Sequence, residues 1–244
     1  TTNLSIIHGS YSKMGDHAHS INFGSADGIL LDLGLSSIQL NSSGKGFSFL
    51  RNEPLDMRFD PTGPKASELV NHMPEKELAH LIYSYGEERK SRAIARAIVN
   101  NRPINSSSQL ANLILRILGR RKETIHPATR TFQALRIAVN HELDNLRQGL
   151  DQAISLLAPF GRLAVISYHS LEDRIVKTVF REGSRSCVCP PDLYLCVCNH
   201  KPSIQVITRK VIKPALEEVL SNPRSRSAKL RIIQKLPKEI THKS

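Results

Sequence analysis

Asp27-Gly28-Ile29-Leu30-Leu31-Asp32-Leu33-Gly34 is unbroken apolar chain between two carboxylates, closed by a glycine. That pattern predicts a strand buried on both faces in a parallel sheet, with Asp32 at its C-terminal end. Arg162-Leu163-Ala164-Val165-Ile166-Ser167-Tyr168 repeats it, and a helix over Leu171 to Glu182 follows. Shorter strand patterns lie at Asn3 to Ile7, near Ile204 to Thr208 and at Lys229 to Gln234. Lys13 to Asn22 and the residues after Pro214 read as short helices. Between the two long runs the period changes. Residues 41 to 64 hold six glycines or prolines and form a long loop. From about Lys65 to Pro159 the apolar spacing is helical: Leu78, Leu81, Ile82 and Tyr85 make one stripe, and Leu110, Leu113, Ile114, Ile117 and Leu118 another. Pro74 suits a helix start, and Gly86 and Gly119 suit stops. The expectation is an α/β, Rossmann-like sheet over residues 1–43 and 145–244, interrupted by an all-helical insertion over residues 44–144. Ligands of such sheets lie beyond the strands' C-terminal ends, so Asp32 and Tyr168-His169-Ser170 are expected at the mouth of one hollow.

A chain of 244 residues and 27.2 kDa accommodates one large domain or a core with an insert. No apolar run approaches the roughly 18 residues a membrane span requires, so no membrane is expected as partner. Thirty-four Lys and Arg against 22 Asp and Glu leave a formal charge of +12. The excess concentrates in residues 201–244, with 11 bases and 3 acids. This stretch has no amphipathic stripe to enter lipid, so the charge favours nucleic acid. All four cysteines fall within twelve residues, and the N-terminus lacks a signal-peptide plan, which points to a reducing, cytoplasmic setting.

Several clusters are candidates for chemistry. After Asp32 come Gly34, Ser36, Ser37 and Gln39, which either bind a ligand or merely turn and cap the chain. Asp56, Arg58 and Asp60 sit in the long loop, as a lid or as a pair pinning it. His126 to Arg136 opens a helix on which Thr129, Gln133, Arg136 and Asn140 share one polar face, lining a cleft or solvated. Ser170 and Asp173 have capping-box spacing, which leaves His169 without a structural role. A Ser-His-acid hydrolase is disfavoured because Gly-x-Ser-x-Gly is absent. Cys187-Val188-Cys189 and Cys196-Val197-Cys198 suit a closed four-cysteine zinc site, although the spacing is tight, and structural zinc stays open. Asn222 to Arg231 alternates bases with hydroxyls, as phosphate contacts or as a solvated loop before an edge strand.

These motifs together resemble one family. Asp27 to Gln39, Gly46-Phe-Ser-Phe, Pro54-Leu-Asp-Met-Arg, Tyr85-Gly-Glu-Glu, His126 to Arg136, Ser170-Leu-Glu-Asp-Arg and Asn222 to Arg231 occur in the order found in the bacterial 16S ribosomal RNA cytosine-N4 methyltransferases. The resemblance runs from about Leu4 to Leu236. It implies a class I methyltransferase fold with a helical insertion and S-adenosylmethionine as methyl donor. The implied acceptor is a cytosine of the decoding centre, so 16S rRNA or the small ribosomal subunit would be the partner.

By that resemblance Asp32 and Gln39 contact the donor, and Tyr11, where the family usually has Phe, lies near its adenine. Asp32 and His169 are the catalytic candidates: Asp32 orients donor or base, and His169 takes the departing proton. Arg130, Arg136, Arg224 and Arg226 would hold the RNA backbone while the base is unstacked. The family opens with a strand, a Gly-rich turn that cradles the donor and a second strand, which are not found in this sequence; in the family's strand order those two strands lie between the ones at Leu4 and Ile29. The chain is therefore expected to be part of a longer parent or the product of an incomplete gene. The alternative function is a non-catalytic RNA- or ribosome-binding fragment without a complete donor site.

Overall fold

The computed structural model describes residues 3–36, 44–119, 126–190, 193 and 195–237. The chain divides into two compact units, Thr1–Gly34 with Leu143–Ser244, and Leu35–Glu142.

The first unit carries the sheet. A short 3-10 turn at Tyr11–Lys13 runs into α1 (Met14–Ser20), and β1 (Ala26–Asp32) follows. After the insertion come α7 (Glu142–Leu156), β2 (Leu157–Ser167), α8 (Ser170–Gly183), β3 (Ile204–Val206), α9 (Leu216–Ser221), a 3-10 turn at Pro223–Ser227, and β4 (Lys229–Lys235). Among the described residues the strand order is β1-β2-β4-β3. β1 and β2 pair in parallel, with Ile29 opposite Leu163, Leu31 opposite Val165 and Asp32 opposite Ile166. β4 runs antiparallel to both neighbours. The α/β, Rossmann-like expectation therefore holds, with a mixed sheet. The core forms where Leu31 of β1, Leu163 and Val165 of β2, and Ile233 of β4 meet Leu146, Leu150 and Ala153 of α7 and Val176 and Phe180 of α8.

Three details differ from the sequence reading. Leu30 is 63% exposed, so β1 is covered on one face by the described residues and is not buried on both. Asn3 to Ile7 forms no strand, and Leu4 and Ile6 are exposed. A strand needs a neighbour's amides as well as a β-prone composition, and no described residue supplies them. The bases after Asn222 do not precede an edge strand, because β4 lies between β2 and β3.

The second unit is helical: α2 (Ala66–His72), α3 (Glu75–Gly86), α4 (Ser91–Asn100), α5 (Ser107–Leu118) and α6 (Thr129–Asn140). Leu78 and Ile82 of α3, Ile94 and Ile98 of α4, Leu110 and Ile114 of α5, and Leu135 of α6 are fully buried together, as their helical spacing requires. Pro74 caps α3 from outside the helix. The long loop joins this core through Leu55 and Met57. Gly46 makes that possible: it adopts φ +74°, and a Cβ there would collide with the Pro54 carbonyl oxygen.

Candidate active site at the strand ends

Because β1 and β2 are parallel and in register, their C-terminal ends emerge side by side. The Leu33 amide still donates to the Ile166 carbonyl at 3.0 Å, so pairing continues one residue past β1. Gly34 then turns at φ +93°, where a side chain would meet the Tyr168 ring. This arrangement delivers the Tyr168 hydroxyl to Asp32, where it donates to Oδ1 at 2.9 Å. Among the described residues, Tyr168 is the carboxylate's one hydrogen-bond partner, and Asp32 is solvent-exposed. Burial first, then the bond to Asp32, pushes the Tyr168 phenol up to about 12. The hydroxyl therefore stays protonated across the neutral range and remains a donor to the carboxylate.

The turn after β2 is held from below. Glu172 is buried, and its Oε2 accepts from the Tyr168 amide at 2.8 Å and the His169 amide at 3.2 Å. In return His169 Nδ1 accepts from the Glu172 amide at 3.3 Å. The helix cap is thus the His169–Glu172 pair, one residue earlier than the Ser170–Asp173 pair read from spacing. His169 has the structural role that the sequence left open. Its side chain is 10% exposed, and Nε2 lies 3.2 Å from Glu172 Oε1 without hydrogen-bond geometry. Since Nδ1 accepts from an amide, Nε2 carries the proton of the neutral ring. Asp173 does something else: both its oxygens receive the Arg231 guanidinium, at 2.7 and 3.2 Å, tying α8 to β4. Burial alone would raise the Asp173 midpoint, but the bonds and charges of Arg231 and Lys229 outweigh it and hold the carboxyl below the usual carboxylate range.

Tyr11 is half-buried, with its ring seated on Gly149 of α7 so closely that a Cβ there would collide with it. Gln39 and Ser37 lie outside the described residues. Arg224 and Arg226 flank the buried Ser225 in the 3-10 turn before β4, and both side chains are exposed.

In the helical unit the polar face of α6 is not solvated. Gln133 donates to the Tyr85 carbonyl at 3.1 Å. Asn140 donates to the Met57 carbonyl at 2.7 Å and accepts from the Phe59 amide at 2.8 Å. Arg136 forks onto Glu142 at 2.7 and 2.9 Å and is largely buried, so its charge is already matched. Arg130 lies 3.6 Å from buried Glu88 and keeps more exposure. Asp56 and Arg58 form a bidentate pair at 2.6 and 2.9 Å, and Arg58 also donates to the Pro61 and Gly63 carbonyls. Of lid and pin, the structure favours the pin.

Residues 1–236 match the model of the MraW methylase family. The chain belongs to that family. It is 51% identical over 233 residues to ribosomal RNA small subunit methyltransferase H of Thermomicrobium roseum, covering 94% of this chain and 72% of that protein. The protein of the same name from Dehalococcoides mccartyi is 50% identical over 232 residues, covering 95% and 66% respectively. The one from Pelobacter propionicus is 48% identical over 237 residues, covering 95% and 76%. The chain thus spans about two thirds to three quarters of the family members it matches. The sequence places Asp32 and Tyr168 at one hollow but assigns Tyr168 no contact with the carboxylate and Glu172 no role in the cap. An acid three residues beyond a helix cap is a readable signal for Glu172, whereas the bond from Tyr168 to Asp32 needs the register of the two strands.

Proposed function

We propose that this chain forms part of an S-adenosylmethionine-dependent methyltransferase of small-subunit ribosomal RNA that methylates N4 of a cytosine in the decoding centre of 16S rRNA. The observation that carries the site is the Tyr168–Asp32 bond at the paired strand ends. The family membership and the names of its relatives support the reaction class and the ribosomal substrate.

Bound S-adenosylmethionine supplies an electrophilic methyl on a sulfonium. The residues present fit the group as far as an exposed carboxylate can, because Asp32 retains a second oxygen to accept a hydrogen bond from it. Tyr11, fixed against α7, and Gln39 complete the donor contacts in this reading. The acceptor nitrogen is a poor nucleophile, since its lone pair is delocalised into the pyrimidine ring. A carboxylate that accepts a hydrogen bond from that amine both aims it and draws the proton it must lose. We assign that task to Asp32, with Tyr168 keeping the carboxylate in one rotamer. His169, whose Nδ1 is engaged in the cap, acts by fixing the turn. Arg224 and Arg226 provide phosphate contacts, with Arg130 contributing from the helical unit and Arg136 ordering α6. Such contacts offset the roughly few kcal/mol needed to unstack the target base. No described helix is long and apolar enough to cross a membrane, and the partner in this reading is the small ribosomal subunit of the cytoplasm.

The test is methyl transfer by the full-length protein to small subunits that lack the modification, with the modified nucleoside identified by mass spectrometry. N4-methylcytidine at one decoding-centre position is expected. Asp32→Asn should weaken donor binding about tenfold, the worth of one hydrogen bond to a charged group. A methyl on a ring carbon or a ribose overturns the N4 assignment. RNA binding without donor binding supports a non-catalytic binding role instead.

A further inference from the structure

The segment between α8 and β3, residues 184–203, contains no described helix or strand. Loops of that length without internal structure are uncommon in compact domains and need something to order them. A hydrophobic core does not do so here: Leu195 and Val197 are 79% and 73% exposed, and Val188 is also exposed. What the loop does gather is sulfur. The Sγ atoms of Cys187, Cys189, Cys196 and Cys198 all lie within 4.8 Å of one another. Cys196 and Cys198 are 3.5 Å apart, and Cys198 and Cys187 are 3.8 Å apart.

We infer that these four cysteines form a closed tetrathiolate site for a single zinc ion that braces the loop. A tetrahedron with zinc–sulfur bonds of about 2.3 Å has sulfur–sulfur edges of roughly 3.8 Å; the Cys196–Cys198 and Cys198–Cys187 separations of 3.5 and 3.8 Å lie close to that edge, and the whole set stays within 4.8 Å. A disulfide would require about 2.05 Å, and the four cysteines are free thiols. Iron–sulfur clusters place inorganic sulfide among their irons and spread the cysteine sulfurs farther than a single ion does. A backbone amide already points at one of the sulfurs: Cys189 N–H donates to Cys187 Sγ at 3.4 Å. Amide donors of this kind disperse thiolate charge around a metal. Four thiolates around Zn²⁺ carry a net charge of −2, and Arg185 and Lys201 stand two residues before and three residues after the cysteine segment. With all four positions taken by sulfur, no site is left for water or substrate, so the ion is structural. Its binding displaces up to four thiol protons, which makes ordering of the loop both metal- and pH-dependent.

The full-length protein, purified under reducing conditions without chelator, should contain one zinc per chain by elemental analysis. After metal removal, Co²⁺ should restore one equivalent, with intense sulfur-to-cobalt charge-transfer bands and tetrahedral ligand-field bands. Cys196→Ser with Cys198→Ser should abolish both and leave the far-ultraviolet circular dichroism unchanged, because the sheet core uses none of these residues. Zinc should also slow limited proteolysis within residues 187–198 tenfold or more, a readout independent of the variant. Substoichiometric zinc from zinc-replete medium, Co²⁺ bound without charge-transfer bands, or isolation of the segment as disulfides would overturn the inference.

Discussion

Removing a single oxygen tests the strand-end site most directly. Tyr168→Phe deletes the hydroxyl that donates to Asp32 at 2.9 Å and leaves the backbone turn intact, because that turn is held by Glu172 through the Tyr168 and His169 amides. A hydrogen bond to a charged group contributes about 1.5–3 kcal/mol when well shielded. Asp32 is exposed, so the lower end applies, and the loss of about 1.4 kcal/mol corresponds to a tenfold change in binding. The variant should therefore bind the donor product S-adenosylhomocysteine roughly five- to tenfold more weakly in calorimetry. Its melting temperature should fall by no more than a few degrees, since the ring is kept and only an exposed hydrogen bond is lost. The phenol adds a second readout. Its midpoint is pushed up to about 12, above the usual value near 10, so its contribution to stability is complete below pH 10 and is lost as the pH rises towards 12. Ultraviolet titration of the wild-type protein should show a late-ionising tyrosine that the variant lacks. Unchanged affinity together with an unchanged alkaline titration would refute the idea that Tyr168 holds Asp32 in a working rotamer.

Other perturbations follow from the packing. Gly46→Ala forces a side chain onto the Pro54 carbonyl at a positive φ; strain and overpacking of about 2–4 kcal/mol should lower the helical unit's melting temperature by roughly 8–15 °C, and a shift under 2 °C would contradict the geometry. Asp173 is held below the usual carboxylate range by Arg231 and Lys229, so its stabilising pair persists above about pH 4 and fails as pH falls through the lowered midpoint. Asp173→Asn should accordingly destabilise the protein at pH 7 and flatten the acid side of its stability profile, as followed by thermal melts from pH 2 to 7. Replacing Arg224 and Arg226 together with Ala should reduce the slope of log affinity for RNA against log salt by about 1–2, measured by filter binding; an unchanged slope would remove them from the interface.

What the sequence made legible was local. The run ending in Asp32 and the run ending in Tyr168 needed only their apolar continuity, and the helices needed only their period. Pairing information was harder to read. Asn3 to Ile7 has the composition of a strand, yet nothing within five residues reports whether another chain segment offers it a ladder. The polar face of α6 could be read as cleft-lining or solvated, because spacing along one helix cannot reveal that Asn140 binds a loop some 80 residues earlier through Met57 and Phe59. His169 looked free for chemistry because hydroxyls and carboxylates are the usual caps, and an imidazole nitrogen doing the same work is easily passed over. Asp32 and the Tyr168-His169-Ser170 stretch could be expected at one hollow from the parallel-sheet pattern, whereas the hydrogen bond between the Tyr168 hydroxyl and Asp32 depends on the register of two strands 136 residues apart.

That separation shapes how the protein is made. Asp32 and Tyr168 are 136 residues apart in sequence, and at translation rates of about 5–20 residues per second β1 waits roughly 7–27 s for its partner to leave the ribosome. Meanwhile the intervening helices, rich in near-neighbour contacts, can fold around their own core. Their early collapse shortens the effective tether between the waiting strand and the arriving one, lowering the entropy lost when the sheet closes. A nascent-chain experiment that arrests synthesis once Asn140 has cleared the ribosome should already find the helical unit protease-resistant, with exchange protection at the Ile29 and Leu31 amides absent until β2 has emerged.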